Sequence, residues 1–148
     1  MQNVIIVDID ETIVRDWDQP NHDVIEAVRK SFDETGLPLV VITGRWRHSK
    51  HGWEQTTELL ETVLGRPVKE LIMREDEEDR PLYRYKVEEV QKRGYVPTFV
   101  YEDDEANIEA FGRAWPEAHI VQVIDGKMRP ATRMERLLGD LRRAVLDG

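Results

Sequence analysis

The 148-residue chain contains no cysteine. Disulfide staples, thiolate nucleophiles and Cys-ligated metals are therefore excluded. Long apolar runs are missing as well: none approaches the ~18 residues of a membrane span, so no membrane association is expected. No basic leader precedes a short apolar stretch, so no signal peptide is expected, and a cytoplasmic setting accords with both absences. Positive charge is scarce. Lys and Arg number 21 against 30 Asp and Glu, for a net charge of −9, which argues against broad, non-specific nucleic-acid binding but leaves room for a local basic site. Repeats and low-complexity linkers are also absent. What is present, 40% apolar and 34% charged residues, describes one soluble globular domain over 1–148 with a core of its own.

The most informative stretch is Val4-Ile5-Ile6-Val7-Asp8-Ile9-Asp10-Glu11-Thr12. A short β-branched run reads as a buried strand, predicted over 3–9. It delivers two carboxylates spaced i, i+2, which on a strand share one face. Buried unpaired charge is costly, so the pair should meet a metal or a cationic partner. The alternative is a solvated strand end with an Asx turn. A carboxylate-rich site without thiols suits Mg²⁺.

Strands and helices alternate along the rest of the chain. A turn-rich segment, Val14 to Pro20, follows the first strand. Asn21 or His22 opens a helix with Val24, Ile25, Val28 and Phe32 at helical spacing, stopped by Gly36 and Pro38. Strands are predicted over 39–43, 69–73, 97–102 and 119–124, and helices over 53–64, 81–93 and 105–114. A tail helix over 131–147 carries Met134, Leu137, Leu138, Leu141 and Val145 on one face. That stripe is expected to pack on the sheet, with a homo-oligomer contact as the alternative. The alternation predicts a five-stranded parallel α/β sheet with right-handed crossovers and helices on both faces. No interval is long enough for a sizeable cap domain. Ligands bind such sheets at the strand C-termini, where the acidic and hydroxyl motifs fall.

Four segments carry a family likeness in order and spacing. They are Asp8-Ile9-Asp10-Glu11-Thr12; Leu39 to Ile42 running into Thr43-Gly44-Arg45; Lys86 at the start of a helical pattern; and Thr98 to Tyr101 running into Glu102-Asp103-Asp104. Together they resemble the haloacid dehalogenase (HAD) superfamily of phosphotransferases over about residues 3–124. The resemblance implies a Rossmann-like fold and a Mg²⁺-dependent phosphomonoesterase. Asp8 would be the nucleophile, and Asp10 the general acid and then base. Thr43 would bind a phosphoryl oxygen, and Gly44 would let the backbone approach. Lys86 would neutralise charge, and Thr12 would steady the loop. Metal ligands would come from Asp8, the Asp10 carbonyl and Asp103, with Asp104 a close second and Asn107 orienting these acids. Glu11 stands where many relatives carry Gly, and resembles the variant of some phosphoprotein phosphatases.

A closer likeness is to the 3′-phosphatase domain of phage-type polynucleotide kinase-phosphatases. It rests on Thr43-Gly44-Arg45, Met73-Arg74-Glu75, Tyr83 to Val90 and Asp103-Asp104. No Gly-x-x-x-x-Gly-Lys-Ser/Thr loop occurs, so the kinase half is missing and the chain reads as a free-standing phosphatase domain, with room left for a separate kinase or ligase partner. The likeness implies removal of 3′-phosphate from polynucleotide ends. Arg45, Trp46 and Arg47 open a basic stretch through Lys50 that would hold the backbone, with Trp46 or Trp17 stacking a base and Arg74, Arg80 and Arg84 adding to the rim. A small-molecule or nucleotide phosphatase, a phosphoprotein phosphatase and a non-catalytic binding module are the competing readings.

Overall fold

The computed structural model describes residues 1–131, 141 and 144–146. The predicted tail helix falls largely outside the described residues. Among the described residues the strands are β1 (Gln2–Val7), β2 (Val14–Arg15), β3 (Gln19–Pro20), β4 (Leu39–Trp46), β5 (Val68–Arg74), β6 (Tyr95–Glu102), β7 (His119–Ile124) and β8 (Lys127–Pro130). The principal helices are α1 (His22–Thr35), α2 (Trp53–Val63), α3 (Leu82–Lys92) and α4 (Glu105–Ala114). No described helix is long and apolar enough to cross a membrane.

The main sheet has the order β5-β4-β1-β6-β7-β8. Its first five members are parallel, and β8 runs antiparallel to β7. The expected five-stranded sheet is thus corrected to six. The added strand follows a two-residue hairpin, Asp125-Gly126, with φ of 50° and 79°. Asp-Gly is the pair that a type I′ turn favours, because both positions need positive φ. β8 escaped the sequence reading because Lys127-Met128-Arg129-Pro130 is exposed throughout and carries no apolar alternation.

Alternation along the central strand divides the core. Val4 and Ile6 of β1 pack with Tyr85 and Val90 of α3 and Ile108 and Phe111 of α4. Ile5 and Val7 pack with Val24, Ile25 and Val28 of α1 and Leu60 and Val63 of α2. A stretch buried on both faces must be apolar at every position, as Val4 to Val7 is. β1 lies between β4 and β6, where the chain switches direction across the sheet, and the carboxyl end of such a strand opens into a crevice.

β1 ends at Val7, so Asp8 and Asp10 lie just past the strand rather than within it. Three amides, those of Thr12, Ile13 and Val14, converge on the carbonyl of Ile9 and wind this segment into a tight turn. Glu11 sits there at φ 59°. A left-handed backbone at that position explains why Gly is the easier residue for it.

Candidate active site

Asp8 enters the sheet's carboxyl edge with its amide donating to the carbonyl of Tyr101, which sets it alongside the end of β6. Its side chain is buried. Lys86 Nζ donates to one carboxylate oxygen at 2.8 Å, and Thr12 Oγ1 donates to the other at 2.8 Å. Lys86 comes from the first half of α3 and is 1% exposed, so its ammonium has exchanged water for protein oxygens. Its second partner is Glu102 Oε1 at 2.6 Å. Burial alone would lower the ammonium's pKa; the charges of Asp8 and Glu102 outweigh it and raise it. Burial would likewise lift Asp8, but Lys86 and hydrogen bonds from Asp103, Lys86 and Thr12 hold it below the usual carboxylate range.

Glu102 is the residue that the sequence reading missed. Its Oε1 also accepts from Asn107 Nδ2 at 3.2 Å, and its Oε2 from the amides of Asp103 and Asp104 at 2.9 and 3.1 Å. With so many donors already on it, Glu102 anchors Lys86 and the turn after β6. Asn107 touches these acids through Glu102 from the first turn of α4. The available signal was electrostatic: a lysine buried beside one aspartate needs a second anion, and Glu102 ends an otherwise apolar strand.

Asp103 completes the group. One oxygen each of Asp8, Glu102 and Asp103 lie within 4.8 Å of one another, close enough to share a metal ion. Burial, then the hydrogen bond and charge of Asp8, push the Asp103 carboxyl up to about 9. Asp104 stands apart from this trio: its Oδ1 caps α4 by accepting the Asn107 amide at 3.0 Å. The trio fits a hard divalent cation, since its donors are all carboxylate oxygens and the one ammonium pairs with two of the three acids, Asp8 and Glu102.

A pH dependence follows. In the metal-free fold Asp103 keeps a proton that the unfolded chain loses near 3.8. Stability therefore falls as pH rises from about 4 towards about 9, because the folded state binds more protons in that window. A cation must displace that proton, so Mg²⁺ affinity should climb with pH, by about tenfold per unit for one proton released, and level off near 9. Calorimetric titration of Mg²⁺ at several pH values checks the slope. Asp103→Asn should remove both the slope and the Mg²⁺-induced rise in Tm.

Asp10 is held separately. Arg45 grips it in a fork, Nη2 to Oδ1 at 2.8 Å and Nε to Oδ2 at 3.0 Å. The guanidinium is itself buried and bound to Thr56 Oγ1 and the carbonyl of Trp17. Such a bidentate pair fixes the carboxylate's plane as well as its position. Thr43, fully buried within β4, which runs on to Trp46 rather than ending at 43 as expected, accepts the Arg45 amide at 3.1 Å and keeps its own hydroxyl hydrogen to donate.

The remaining predicted residues divide. A Cβ at Gly44 would come within 3.0 Å of Leu82 Cδ2, so its lack of a side chain serves packing between β4 and α3. Arg74 lies 3.9 Å over the Trp46 ring and donates to the Gly44 carbonyl. Arg47 lies 4.2 Å over the Trp53 ring and pairs with Glu75 at 2.8 Å. Arg80 pairs with Glu78, Glu88 and Glu89, and Arg84 with Glu88. Much of the expected basic rim is therefore spent on the protein's own carboxylates.

The fold is similar to that of two solved assemblies. One is described as the structure of the Pnkp1/Rnl/Hen1 RNA repair complex, with TM-score 0.65 and 18% identity over 83% of this chain and 42% of the matched chain. Another structure of the Pnkp1/Rnl/Hen1 complex gives TM-score 0.66 at 18% identity, over 83% of this chain and 45% of that chain. This chain thus spans less than half the length of the chains it matches. No family model matches it, and no curated protein does.

Proposed function

We propose that the chain is a Mg²⁺-dependent phosphomonoesterase of the HAD type that removes 3′-phosphate from polynucleotide ends. The observation that carries the chemistry is the buried Asp8–Lys86–Glu102–Asp103 group at the central crevice, with Asp10 clamped beside it. The likeness in fold to an RNA repair assembly supports an end-healing substrate.

An Asp8 carboxylate oxygen attacks phosphorus, and the bond to the leaving 3′-oxygen breaks as that oxygen takes a proton from Asp10. A water oxygen then bonds to phosphorus, its proton passes to Asp10, and the Asp8–phosphorus bond breaks to release phosphate. Lys86 keeps Asp8 ionised and offsets charge on the phosphoryl group, and Thr43 donates to a phosphoryl oxygen. Arg45 keeps Asp10 on the leaving-group side. Mg²⁺ on Asp8 and Asp103, when bound, supplies the positive charge that lets one anion approach another.

Phosphate release from a 3′-phosphorylated oligonucleotide, its 5′-phosphorylated copy and a 3′-mononucleotide, each with Mg²⁺ and with EDTA, tests the reading. Fast, Mg²⁺-dependent release from the 3′-end alone is expected. Equal or better release from the mononucleotide would favour the second reading, a nucleotide phosphatase, which the internal pairing of Arg47, Arg80 and Arg84 supports.

A further inference from the structure

Trp17 is 50% exposed, a large apolar surface left in water at the edge of the site. It sits in the β2–β3 turn at φ 73°, next to Asp16 at φ 49°. Two successive non-glycine residues in the left-handed region carry strain that the surrounding structure must hold in place. The holding contacts are specific. The Trp17 carbonyl accepts Arg45 Nη2 at 2.6 Å, and Arg45 is the residue that clamps Asp10. The indole lies flat against the His51 ring, with centroids 4.0 Å apart and planes 10° from parallel. His51 is fixed in turn by Gln55 Oε1 at 2.5 Å. The result is an aromatic shelf tied to the Asp10 clamp by a single guanidinium.

Beside the shelf is an open cleft of about 620 Å³ whose wall includes Arg47, Lys50, Trp53, Glu54 and Glu58. Its charge is nearly balanced, and Arg47 is already engaged with Glu75. A polyanion gains little there. Trp46, at the end of β4, has Arg74 close over its ring at 3.9 Å; Trp17 has Arg45 at 5.4 Å from its ring centroid and still presents half its surface to solvent.

We infer that the Trp17–His51 shelf is the nucleobase subsite of the proposed phosphatase, holding the 3′-terminal base of a single strand by stacking rather than by charge. The inference rests on the polynucleotide reading and adds to it a specificity-determining pair. Stacking is sequence-tolerant, so all four bases should be accepted alike. Among the described residues that line the cleft, Arg47 is paired with Glu75 and Lys50 remains for a backbone phosphate, so beyond the catalytic site the strand should add a log–log salt slope of only about −0.7.

The test uses the full chain carrying Asp8→Asn, so that binding is read without turnover. Fluorescence anisotropy compares a 3′-phosphorylated single-stranded oligonucleotide with the same strand ending in an abasic 3′-phosphate. The base-bearing end should bind about 10- to 100-fold more tightly. Adding Trp17→Ala should collapse that ratio to near one, and Trp17→Phe, which keeps a ring, should restore most of it. Equal binding of the two ends by the Asp8→Asn protein would overturn the shelf, as would a ratio that survives Trp17→Ala. Base-dependent binding without any hydrolysis by the wild-type chain would instead overturn the phosphatase reading and leave the shelf standing.

Discussion

Asp8→Asn is expected to cut phosphate release by about 10,000-fold or more and to leave the fold in place. The amide is nearly isosteric with the carboxylate: its oxygen can still accept from Lys86, and its NH2 can donate to the Thr12 hydroxyl, both groups 2.8 Å away in the native protein. It cannot attack phosphorus. The loss should fall on kcat and kcat/KM together, because the missing interaction is the bond that forms in the transition state. Steady-state kinetics on the preferred phosphoester, with far-ultraviolet circular dichroism as the folding control, checks it. Activity within tenfold of wild type would remove Asp8 from the nucleophile's role.

The largest effect on stability is expected at Lys86. Lys86→Met should cost about 3–5 kcal/mol, the range for removing one partner of a buried ion pair. The methionine fills much of the same volume, so the loss is not mainly one of packing. It comes from leaving Asp8 and Glu102, 5% and 1% exposed, facing each other without their shared cation. The sign with pH is diagnostic. Unpaired buried carboxylates take up protons more readily than unfolded ones, so the variant should recover stability as pH falls towards 5. Urea unfolding of both proteins at pH 5 and pH 8 measures the difference. A loss under about 1 kcal/mol at pH 8 would mean that the ammonium is not what balances these acids.

The parts of the fold that were legible in the chain are those where burial dictates residue type. β1 and β4 contain runs, Val4 to Val7 and Leu39 to Ile42, that are buried on both faces, so each position there is apolar and the strands stand out. The helices showed through their spacing, and Gly36 and Gly94 marked two helix ends because both take positive φ. β8 was not legible, since an exposed edge strand needs no apolar pattern. Asp125-Gly126 was the clue, and it lies in the turn rather than in the strand.

The site divided along a similar line. Asp8, Asp10, Thr43 and Lys86 announced themselves by standing at the ends or starts of apolar patterns. Partnerships did not. Nothing in the order of residues says that Arg45 grips Asp10 across 35 positions, or that Glu102 rather than Asp104 shares Lys86. Arg45, Arg47, Arg80 and Arg84 read as basic residues available to a ligand, and the structure spends each on an internal carboxylate. Charge counted along a sequence is gross; only packing shows what is left over.

The central claim is that a phosphoryl group passes through Asp8, and rapid acid quenching tests it most directly. The protein is mixed with a ³²P-labelled 3′-phosphate oligonucleotide or a labelled aryl phosphate in Mg²⁺, quenched within milliseconds to seconds, and digested for mass analysis. Asp10→Asn is run beside wild type. An aryl leaving group needs no proton, so this variant should form the intermediate and then fail to clear it. The account predicts a label on the peptide carrying Asp8, more abundant in Asp10→Asn and absent with EDTA. Turnover without any protein-bound label, or a label on another residue, would contradict it.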